Sequence, residues 1–362
     1  MIKPFLIAAL ATLVSGAYGQ IIQSTRFAKG SISDGEKILM AYLLPLERSF
    51  NAISGSGFIN FQSSTENKKF AYSFGVQFVG AVAPASDRTY SINDLQLSEF
   101  RATNPSNAVA QTFAGNSNTV ELATNASYKA PSTSFPFYAN KPLLKLNSPE
   151  GAGTALLGLG FLTAAVYSKG AEISLRILPP IRVPKTEAIV YSAGGSLQFE
   201  LNTLCNSLHS MPVKIIALIG LQYTRLRLDP GLAPESSRSE ISLQSDNGPY
   251  DNQEFSIRSR AIPLELIFQK SLNNFVVYAG AGLNFSKSRT ALEGIIPLYQ
   301  TDPTNTLSII VEDIENPVLY ERQINTAQLN LGIKYFRNSC GLNAGWSISK
   351  YQSFYLGLDC SI

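Results

Sequence analysis

The amino-acid sequence predicts an all-β protein, an antiparallel transmembrane β-barrel of about ten to twelve strands, with fourteen also allowed and a short N-terminal helix. Three observations lead to this prediction: an export signal, long segments in which apolar residues alternate with small or polar ones, and connections that alternate between short and long. Each is compatible with another fold, but a membrane barrel explains all three.

The start of the chain has the pattern of a secretory signal peptide. A short basic start precedes an apolar run from Phe5 to Val14, and Ala17 and Gly19 supply small residues before a cleavage site. The apolar run is too short to span a bilayer. We expect residues 1–19 to be removed on export and the mature chain to begin near Gln20. A buried N-terminal helix is the alternative.

Composition excludes several classes of protein. Charged residues make up only 15% of the chain and hydrophobic residues 45%, against roughly 25% charged in ordinary soluble domains. No segment after the signal is long and apolar enough for a spanning helix, and alternating strands distribute apolar residues in this way. The net charge of +3, spread over the chain, argues against a nucleic-acid partner. Three cysteines are too few for a disulfide framework, and one histidine argues against a metal site.

Alternation of side chains is the main signal after residue 69. In Phe70–Val82, Ala171–Ile177 and Ala327–Tyr335, apolar residues occupy one face and small or polar residues the other. Several such segments reach ten or more residues, whereas strands of globular proteins usually have five or six. The pattern recurs at Ile189–Phe199, Val213–Leu228 and Phe275–Phe285.

One strand changes phase. Phe255 and Ile257 occupy odd positions, whereas the apolar residues from Ile262 to Phe268 are even, with Pro263 between them. A single extra residue near 258–261 restores the register, so we expect a β-bulge there, where a proline is tolerated.

The connections between these segments alternate in length. Outer-membrane barrels have short periplasmic turns and long external loops, and this assignment fits the sequence without forcing any strand. The short connections are 167–170, 271–274 and 337–339, and the long ones are 84–153, 229–252 and 287–324. Counting from Lys69, with Thr154–Val166 as a strand, gives ten strands. If Ile53–Gln62 also spans, a further strand is needed to keep the number even.

A helix is expected near the start of the mature chain. Ser33 and Glu36 have the spacing of a capping box, and Pro45 should end the helix at Leu44. We therefore divide the chain into a signal peptide (1–19), an N-terminal periplasmic or plug segment (20–52) with a helix over 33–44, and an outer-membrane barrel (53–362). A surface helix in the periplasm is favoured slightly over a plug.

Three segments resemble a known family. Residues 33–46, S-D-G-E-K-I-L-M-A-Y-L-L-P-L, are similar to the D-A-E-K-L-L-x-A-Y-L-x-P-L opening of an uncharacterised outer-membrane β-barrel family of the Bacteroidetes. Residues 79–95 share the A-P-A-S-D-R-T-Y-S-I-N-D-L segment, and 168–179 match x-K-G-T-E-x-x-x-R-x-x-P, with Ala171 in place of the threonine. The resemblance covers the first half of the mature chain and implies an outer-membrane barrel of no assigned activity.

No catalytic or cofactor motif is present, so we expect neither an enzyme nor a cofactor. His209 lies in a connection, where an ordinary surface histidine is expected. The run Asp246–Asp251 has oxygen ligands but lacks the spacing of a calcium loop, so we interpret it as a solvated external loop.

The alternation also assigns side chains to the lumen. Six basic and four acidic residues are expected to point inward: Lys69, Glu172, Arg176, Glu200, Lys214, Arg258, Arg260, Glu265, Lys334 and Asp359. Two interpretations remain open. These charges either line a mildly cationic pore or pair with one another in a plugged barrel, because small barrels fill their interior with side chains.

The C-terminal hairpin gives the sharpest structural expectation. Strands Cys340–Ile348 and Phe354–Ile362 flank a turn centred on Lys350, which sets Trp346 opposite Phe354 and Cys340 opposite Cys360. All four side chains face outward by parity. The two cysteines form a cross-strand disulfide or remain two thiols, and Cys205 should be free.

We therefore expect an exported protein of the bacterial outer membrane. A passive pore or ligand-holding barrel for small solutes is the first hypothesis for its function. A structural or surface-interaction barrel that acts through its external loops, with no transport, is the alternative. The expected partners are outer-membrane lipid and small solutes, and the oligomeric state stays open.

Overall fold

The computed structural model describes residues 15–59, 70–131, 138–153, 156–182, 188–234, 241–244 and 250–362. Within these ranges the chain forms three α-helices, five short 3-10 helices and twenty strands. The α-helices are α1 (Ser15–Thr25), α2 (Ile32–Gly55) and α3 (Leu201–Leu204). The 3-10 helices are Arg26–Lys29, Ala85–Asp87, Asn93–Leu95, Pro105–Asn107 and Asn206–Leu208. The strands are β1 (Ala71–Val82), β2 (Thr89–Ser91), β3 (Phe100–Ala102), β4 (Val109–Gln111), β5 (Glu121–Thr124), β6 (Ser127–Pro131), β7 (Tyr138–Pro142), β8 (Lys145–Asn147), β9 (Leu156–Ser168), β10 (Ala171–Arg182), β11 (Ile189–Glu200), β12 (Lys214–Leu228), β13 (Ile241–Gln244), β14 (Glu254–Leu272), β15 (Phe275–Glu293), β16 (Ile295–Thr301), β17 (Ile309–Glu315), β18 (Val318–Arg337), β19 (Cys340–Ile348) and β20 (Gln352–Ser361).

Ten of these strands close into an antiparallel barrel. Around the barrel the order is β1, β20, β19, β18, β15, β14, β12, β11, β10 and β9, so the first strand pairs with the last. An all-β closed barrel was predicted, and its ten strands lie at the low end of the predicted ten to twelve. The additional strands allowed for were wrong: residues 53–55 belong to helix α2, and the rest of the Ile53–Gln62 segment is coil or lies outside the described residues.

The two faces of the barrel wall differ in polarity because successive strand residues point to opposite sides. On β14, Ile262, Leu264, Leu266 and Phe268 point outward and are 40–47% exposed. Similar side chains on the other barrel strands complete an apolar belt around the outside. Among the described residues, no helix combines the length and apolar character needed to cross a membrane.

The connections define two ends of the barrel. Two-residue turns at 169–170, 273–274 and 338–339 lie at one end, here called the short-turn end. The long connections 83–155, 229–253 and 294–317 lie at the other, the long-loop end. There, small sheets of β2–β4, β3–β5–β8, β6–β7 and β13–β17–β16 form a cap over the barrel, with two apolar clusters, one of which also includes Phe27 and Ile38.

Helix α2 lies inside the barrel. Leu46, Phe50 and Ile53 are buried in one apolar cluster with inward-facing wall residues such as Ile257 and Leu292. With 24 residues the helix is about 36 Å long, at about 1.5 Å per residue. The preference for a surface helix in the periplasm was therefore wrong.

The bounds of this helix also differ from the prediction of 33–44. Ser31, not Ser33, is the N-cap, and its Oγ accepts the N–H of Asp34 at 3.3 Å. Pro45 lies within the helix and does not end it. A proline removes one backbone hydrogen bond and disfavours a continuous helix. Here Leu43 and Leu46 on either side are buried, and this packing outweighs the local cost.

The N-terminal residues lie at the long-loop end. Lys29 Nζ donates to the carbonyl oxygen of Ala233 at 2.6 Å, and the Phe27 ring lies 5.3 Å from that of Phe100 in the cap. Residues 20–52 therefore run from the long-loop end into the barrel, as the plug alternative for this segment expects.

The expected β-bulge near 258–261 does not form. The pairing of β14 with β15 runs without a shift from Glu254 to Leu272, and the pairing with β12 keeps one register on both sides of Pro263. The change of phase has another cause. Phe255 and Ile257 are apolar residues that point inward, where helix α2 gives them apolar contacts. A register shift occurs instead in β10, between Leu178 and Ile181.

The C-terminal hairpin has the predicted register. Trp346 is opposite Phe354, and Cys340 is opposite Cys360. The structure joins these two cysteines in a disulfide, and Cys205 is a free, exposed thiol.

Candidate functional site

The C-terminal end of helix α2 is held by side chains of the barrel wall. The last carbonyl groups of a helix have no partners within it, and an unpaired carbonyl that is buried is costly. Six consecutive carbonyl oxygens, from Ile53 to Phe58, each accept a hydrogen bond from an inward-facing wall residue. The donors are Arg176 on β10, Gln328 on β18, Gln77 on β1 and Gln198 on β11.

Arg176 makes three of these six bonds. Its guanidinium donates to the carbonyl oxygens of Ile53 (3.3 Å), Ser54 (2.8 Å) and Ser56. A further bond to Gln222 Oε1 at 2.6 Å fixes its orientation, and it also contacts the ring of Phe58. A cation at this position is favoured by the negative end of the helix dipole. The residue expected to line a pore is therefore a clamp on the plug.

The chain beyond the helix needs a special backbone conformation to reach these donors. Gly57 has a φ of +76°, in the left-handed region that favours glycine. Gly55 lies so close to Asn284 that a Cβ at this position meets the side chain of Asn284. Two glycines therefore permit the close fit of plug and wall.

Higher in the barrel, a buried carboxylate joins the helix to two strands. Glu47 accepts hydrogen bonds from Thr290 Oγ1 at 2.8 Å and Tyr320 Oη at 2.9 Å, and it forms an ion pair with Arg322 at 2.9 Å. One turn further along, Asn284 Nδ2 donates to the backbone and side-chain oxygens of Asn51. The helix is thus bonded to the wall at several levels.

Near the C-terminal end of the plug, inward-facing charged residues bond to other residues of the wall. Lys334 Nζ lies 2.7 Å from Asp359, Gln198 Nε2 donates to Glu172 at 3.0 Å, and Gln328 Nε2 donates to Glu265 at 2.8 Å. At the short-turn rim, Lys214 and Glu200 form an ion pair at 3.2 Å. Two of these contacts are ion pairs and two join a carboxylate to a glutamine, and of the two open interpretations this geometry favours the plugged barrel.

Two of the expected lumen residues point the other way. Arg258 and Arg260 lie at even positions of β14, which face outward with Ile262, whereas Ser259 and Ala261 are buried inside. The expectation failed because Phe255 and Ile257 were assigned to the outer face. That assignment placed the even positions of this half of the strand, among them Arg258 and Arg260, inside the barrel. Without these two arginines, the residues expected in the lumen are four basic and four acidic, so the expected excess of positive charge disappears. Of these, Lys69 lies outside the described residues.

The N-terminal end of helix α2 is anchored in the cap. Asp34 is fully buried, and its carboxylate accepts the backbone N–H groups of Ser98 (3.0 Å), Glu99 (2.6 Å) and Phe100 (2.9 Å). Tyr42 Oη donates to the carbonyl oxygen of Glu150 at 2.9 Å. The helix is therefore fixed at both ends, to the cap and to the wall.

Asp87, in the connection after β1, joins three parts of the molecule. Arg48 of the helix (2.5 Å), Lys350 (2.9 Å) and Tyr351 (2.8 Å) of the β19–β20 turn all contact its carboxylate. Burial alone raises the pKa of Asp87. The hydrogen bonds from Lys350, Tyr351, Ser86 and Arg48 outweigh that effect and lower the pKa to about 2. The carboxylate is thus charged at neutral pH and links cap, plug and barrel.

The cap carries an open groove of about 620 Å³ on its surface. Its lining is mixed: alanine and proline side chains alternate with polar ones, among them Arg101 on β3, Asn125 after β5, Asn140 on β7 and Lys145 on β8. Lys145 pairs with Glu121 at 2.7 Å, whereas Arg101 and Asn140 are exposed. This groove is a second candidate site, at the opposite end of the helix from the clamp.

The glutamines that hold the plug were missed by sequence reasoning, which weighed only charged residues. A signal for them exists, because Gln77, Gln198, Gln222 and Gln328 share the small-and-polar face of four strands. Donors repeated on one inward face indicate a buried partner. Asp34, Glu47 and Asp87 carried no comparable signal.

Other sequence candidates stay outside the site. His209 is exposed and contacts the Asn202 carbonyl oxygen at 2.6 Å. Most of the Asp246–Asp251 run lies outside the described residues. Within the described part of the chain, no group of three or more histidine, cysteine or acidic side chains is arranged to hold a metal ion.

A protein-family model, described as a family of unknown function (DUF6588), matches residues 1–362. This agrees with the resemblance to an uncharacterised family, whose Bacteroidetes origin stays a prediction. No curated protein matches the chain.

Solved structures with some similarity include the translocator domain of the autotransporter NalP from Neisseria meningitidis (10% identity, TM-score 0.28, 82% of this chain and 89% of that one). The transport unit of the autotransporter AIDA-I from Escherichia coli has 9% identity and a TM-score of 0.27, over 87% and 97% of the two chains. The Pseudomonas putida toluene transporter TodX has 8% identity and a TM-score of 0.25, over 86% and 96%. Similarity at this level carries no functional argument.

Proposed function

We propose, for a chain that belongs to the DUF6588 family of unknown function, an outer-membrane barrel that is closed by its own N-terminal helix and acts through the cap that it displays. It is exported with a cleaved signal peptide, its long-loop end faces outward, and it has no catalytic activity. The hydrogen bonds from the wall to the six carbonyl groups at 53–58 are the observation that carries this proposal.

The apolar belt supports the membrane location. On β15 the outward-facing apolar residues run from Phe275 to Phe285. Ten residues at about 3.3 Å each, tilted by about 40°, correspond to a height of about 25 Å, the height of the apolar band of outer-membrane barrels. A soluble protein rarely exposes so large an apolar surface.

The fixed plug supports a closed barrel over a passive pore for small solutes. To open a path, the helix must break its hydrogen bonds to the wall, such as those from Arg176 to the carbonyl groups and from Tyr320 to Glu47. Each of these hydrogen bonds contributes about 0.5–1.5 kcal/mol net, and more where a charged group takes part, so the open state is disfavoured at several points at once. The same helix occupies the space that a ligand inside the barrel needs.

The cap supports action at the surface. It contains apolar clusters and a groove with several polar side chains, and Asp87 and Asp34 tie it to the plug and the barrel. The cap is therefore a folded structure that is firmly bonded to the barrel. Such a structure at the membrane surface is suited to binding a partner outside the cell.

Planar-bilayer recordings test the closed state. The folded full-length protein should show no steady conductance. In a Ser54→Cys/Thr224→Cys variant, whose parent hydroxyl oxygens lie 3.5 Å apart, oxidation should tether the plug and suppress even brief openings. The same variant under reducing conditions is the matched control. A steady wild-type conductance that the tether leaves unchanged contradicts the proposal.

Variants of the groove test the surface role. Arg101→Glu with Asn140→Glu should abolish the phenotype that the full-length gene restores to a deletion strain, while folding and closure stay normal. The Lys270→Glu variant, which changes the charge at the short-turn end of β14, should restore the phenotype. Loss of function in the control but not in the groove variant contradicts a role for the cap.

A further inference from the structure

The outer wall carries a concentration of positive charge just above the apolar belt, on the side of the long-loop end. Of the outward-facing basic residues that β12, β14 and β15 carry there, five lie in the two rows nearest the belt, and Arg227 lies one row further away. We call these five the basic patch: Arg225 on β12, Arg258 and Arg260 on β14, and Lys287 and Arg289 on β15.

The strand register places these residues directly opposite one another. Arg225 pairs with Arg258, and Arg258 pairs with Arg289, so three arginines form one row across the wall. In the row below, Arg260 pairs with Lys287. Like charges directly opposite each other on a sheet are destabilising. Such an arrangement therefore needs negative groups nearby to offset the repulsion.

Acidic neighbours neutralise only part of this charge. Glu254 contacts Arg225 at 2.5 Å, Glu293 lies 3.9 Å from Arg258, and Glu321 lies 2.6 Å from Lys287. Three carboxylates thus face five cations. Arg260 is exposed and has no ion pair with any residue in the described part of the chain.

The patch borders the belt with no gap. The next outward row towards the short-turn end consists of Leu221, Ile262 and Phe285, each more than 40% exposed. A ligand that covers both rows therefore needs an apolar part below and an anionic part above. Guanidinium groups are suited to phosphate because they donate two parallel hydrogen bonds.

We infer that the basic patch binds the phosphate-bearing headgroup of an anionic membrane lipid in the leaflet at the long-loop end. The acyl chains of that lipid lie against Leu221, Ile262 and Phe285. This inference rests on the proposed membrane location and adds a specific lipid contact to it. Basic residues near a membrane surface attract anionic lipids with an energy that corresponds to about a five-fold preference per residue.

Electron paramagnetic resonance with spin-labelled lipids tests the inference. The full-length protein is inserted into phosphatidylcholine vesicles that contain spin-labelled phosphatidic acid or spin-labelled phosphatidylcholine as the probe. The association of each probe with the protein is compared for wild type and for Arg258→Gln/Arg260→Gln/Arg289→Gln. The matched control is Lys169→Gln/Lys270→Gln/Arg337→Gln, which removes three exposed basic residues at the short-turn end.

Wild type should prefer phosphatidic acid at least three-fold, and the patch variant should lose most of that preference. The control variant should keep it, and 10 mM inorganic phosphate should not remove it. Equal preference in wild type and patch variant overturns the inference, as does loss of the preference in free phosphate. Failure of the wild-type protein to insert into vesicles overturns the membrane proposal instead, so the two outcomes are distinguishable. Heat-modifiable migration of each variant shows that it is folded.

Discussion

The guanidinium carbon of Arg176 lies 3.6 Å from the centre of the Phe58 ring, so that a residue of the wall and a residue of the plug are in direct contact inside the barrel. The same guanidinium bonds three carbonyl groups at the end of the helix. One strand residue therefore contributes both a cation–π contact and the hydrogen bonds that satisfy the helix terminus.

Replacement of Arg176 by methionine should loosen the plug. The change leaves the carbonyl oxygens of Ser54 and Ser56 without their wall donor, at a cost of about 1–3 kcal/mol for each one that stays buried, whereas the Ile53 carbonyl keeps the N–H of Ser56. We expect frequent openings in planar-bilayer recordings of Arg176→Met. Lys214→Met, which removes another inward-facing cation that does not contact the helix, should stay closed. Equal conductance of the two variants contradicts the role of Arg176 as a clamp.

The contacts of Asp87 predict a loss of stability in acid. The folded-state pKa of about 2 lies below the ordinary value of 3.8. The charged carboxylate therefore stabilises the fold above about pH 4, and this contribution is lost as the pH falls towards 2. Asp87→Asn should melt at a lower temperature than wild type at pH 7, and the difference should shrink between pH 4 and pH 2. The temperature at which heat-modifiable migration is lost, determined for both proteins at each pH, gives this difference. A difference independent of pH argues against an electrostatic role.

The disulfide should stabilise the hairpin that ends the barrel. Cys340 and Cys360 are 20 residues apart, and a crosslink of that span stabilises by about 3 kcal/mol on the chain-entropy model. We expect Cys340→Ser/Cys360→Ser to unfold at a lower temperature, whereas Cys205→Ser should not. Mass spectrometry without reduction should find the linked peptide. A link from Cys205 to either partner contradicts the register.

Cys205 also reports which way the barrel faces. It is exposed in the β11–β12 connection at the short-turn end. With the proposed orientation, a large polyethylene-glycol maleimide should not reach it in intact cells but should label it once the outer membrane is permeabilised. A cysteine at exposed Ser106 in the cap, in a Cys205→Ser background, should be labelled in intact cells. If Cys205 is labelled in intact cells and the cysteine at position 106 is not, the barrel has the opposite orientation.

The sequence predicted the barrel well because alternation is local and each strand displays it. The register of the C-terminal hairpin followed from the same parity. The prediction from alternation failed where the surroundings of a strand change along its length. Phe255 and Ile257 point inward because the plug supplies apolar contacts there, and no property of β14 by itself reveals this.

The plug was harder to predict for a related reason. Pro45 is a sound local signal for a helix end, but burial of Leu43 and Leu46 inside the barrel overrides it. The lumen charges were foreseen in part, since Glu172, Arg176, Glu265, Lys334 and Asp359 do face inward. Their bonding partners could not be foreseen, because these come from strands and a helix far apart in the chain.

The path of the chain also constrains the order of assembly. Residues 20–31 lie at the long-loop end, helix α2 runs down the lumen, and β1, which starts at the short-turn end, pairs with the final strand β20. If synthesis and export deliver the chain from the periplasm, the N-terminal residues must cross the full thickness of the membrane before or while β1 and β20 join. A stably folded domain fused upstream of residue 20 therefore stalls biogenesis, whereas an unstructured extension of the same length travels through with the helix.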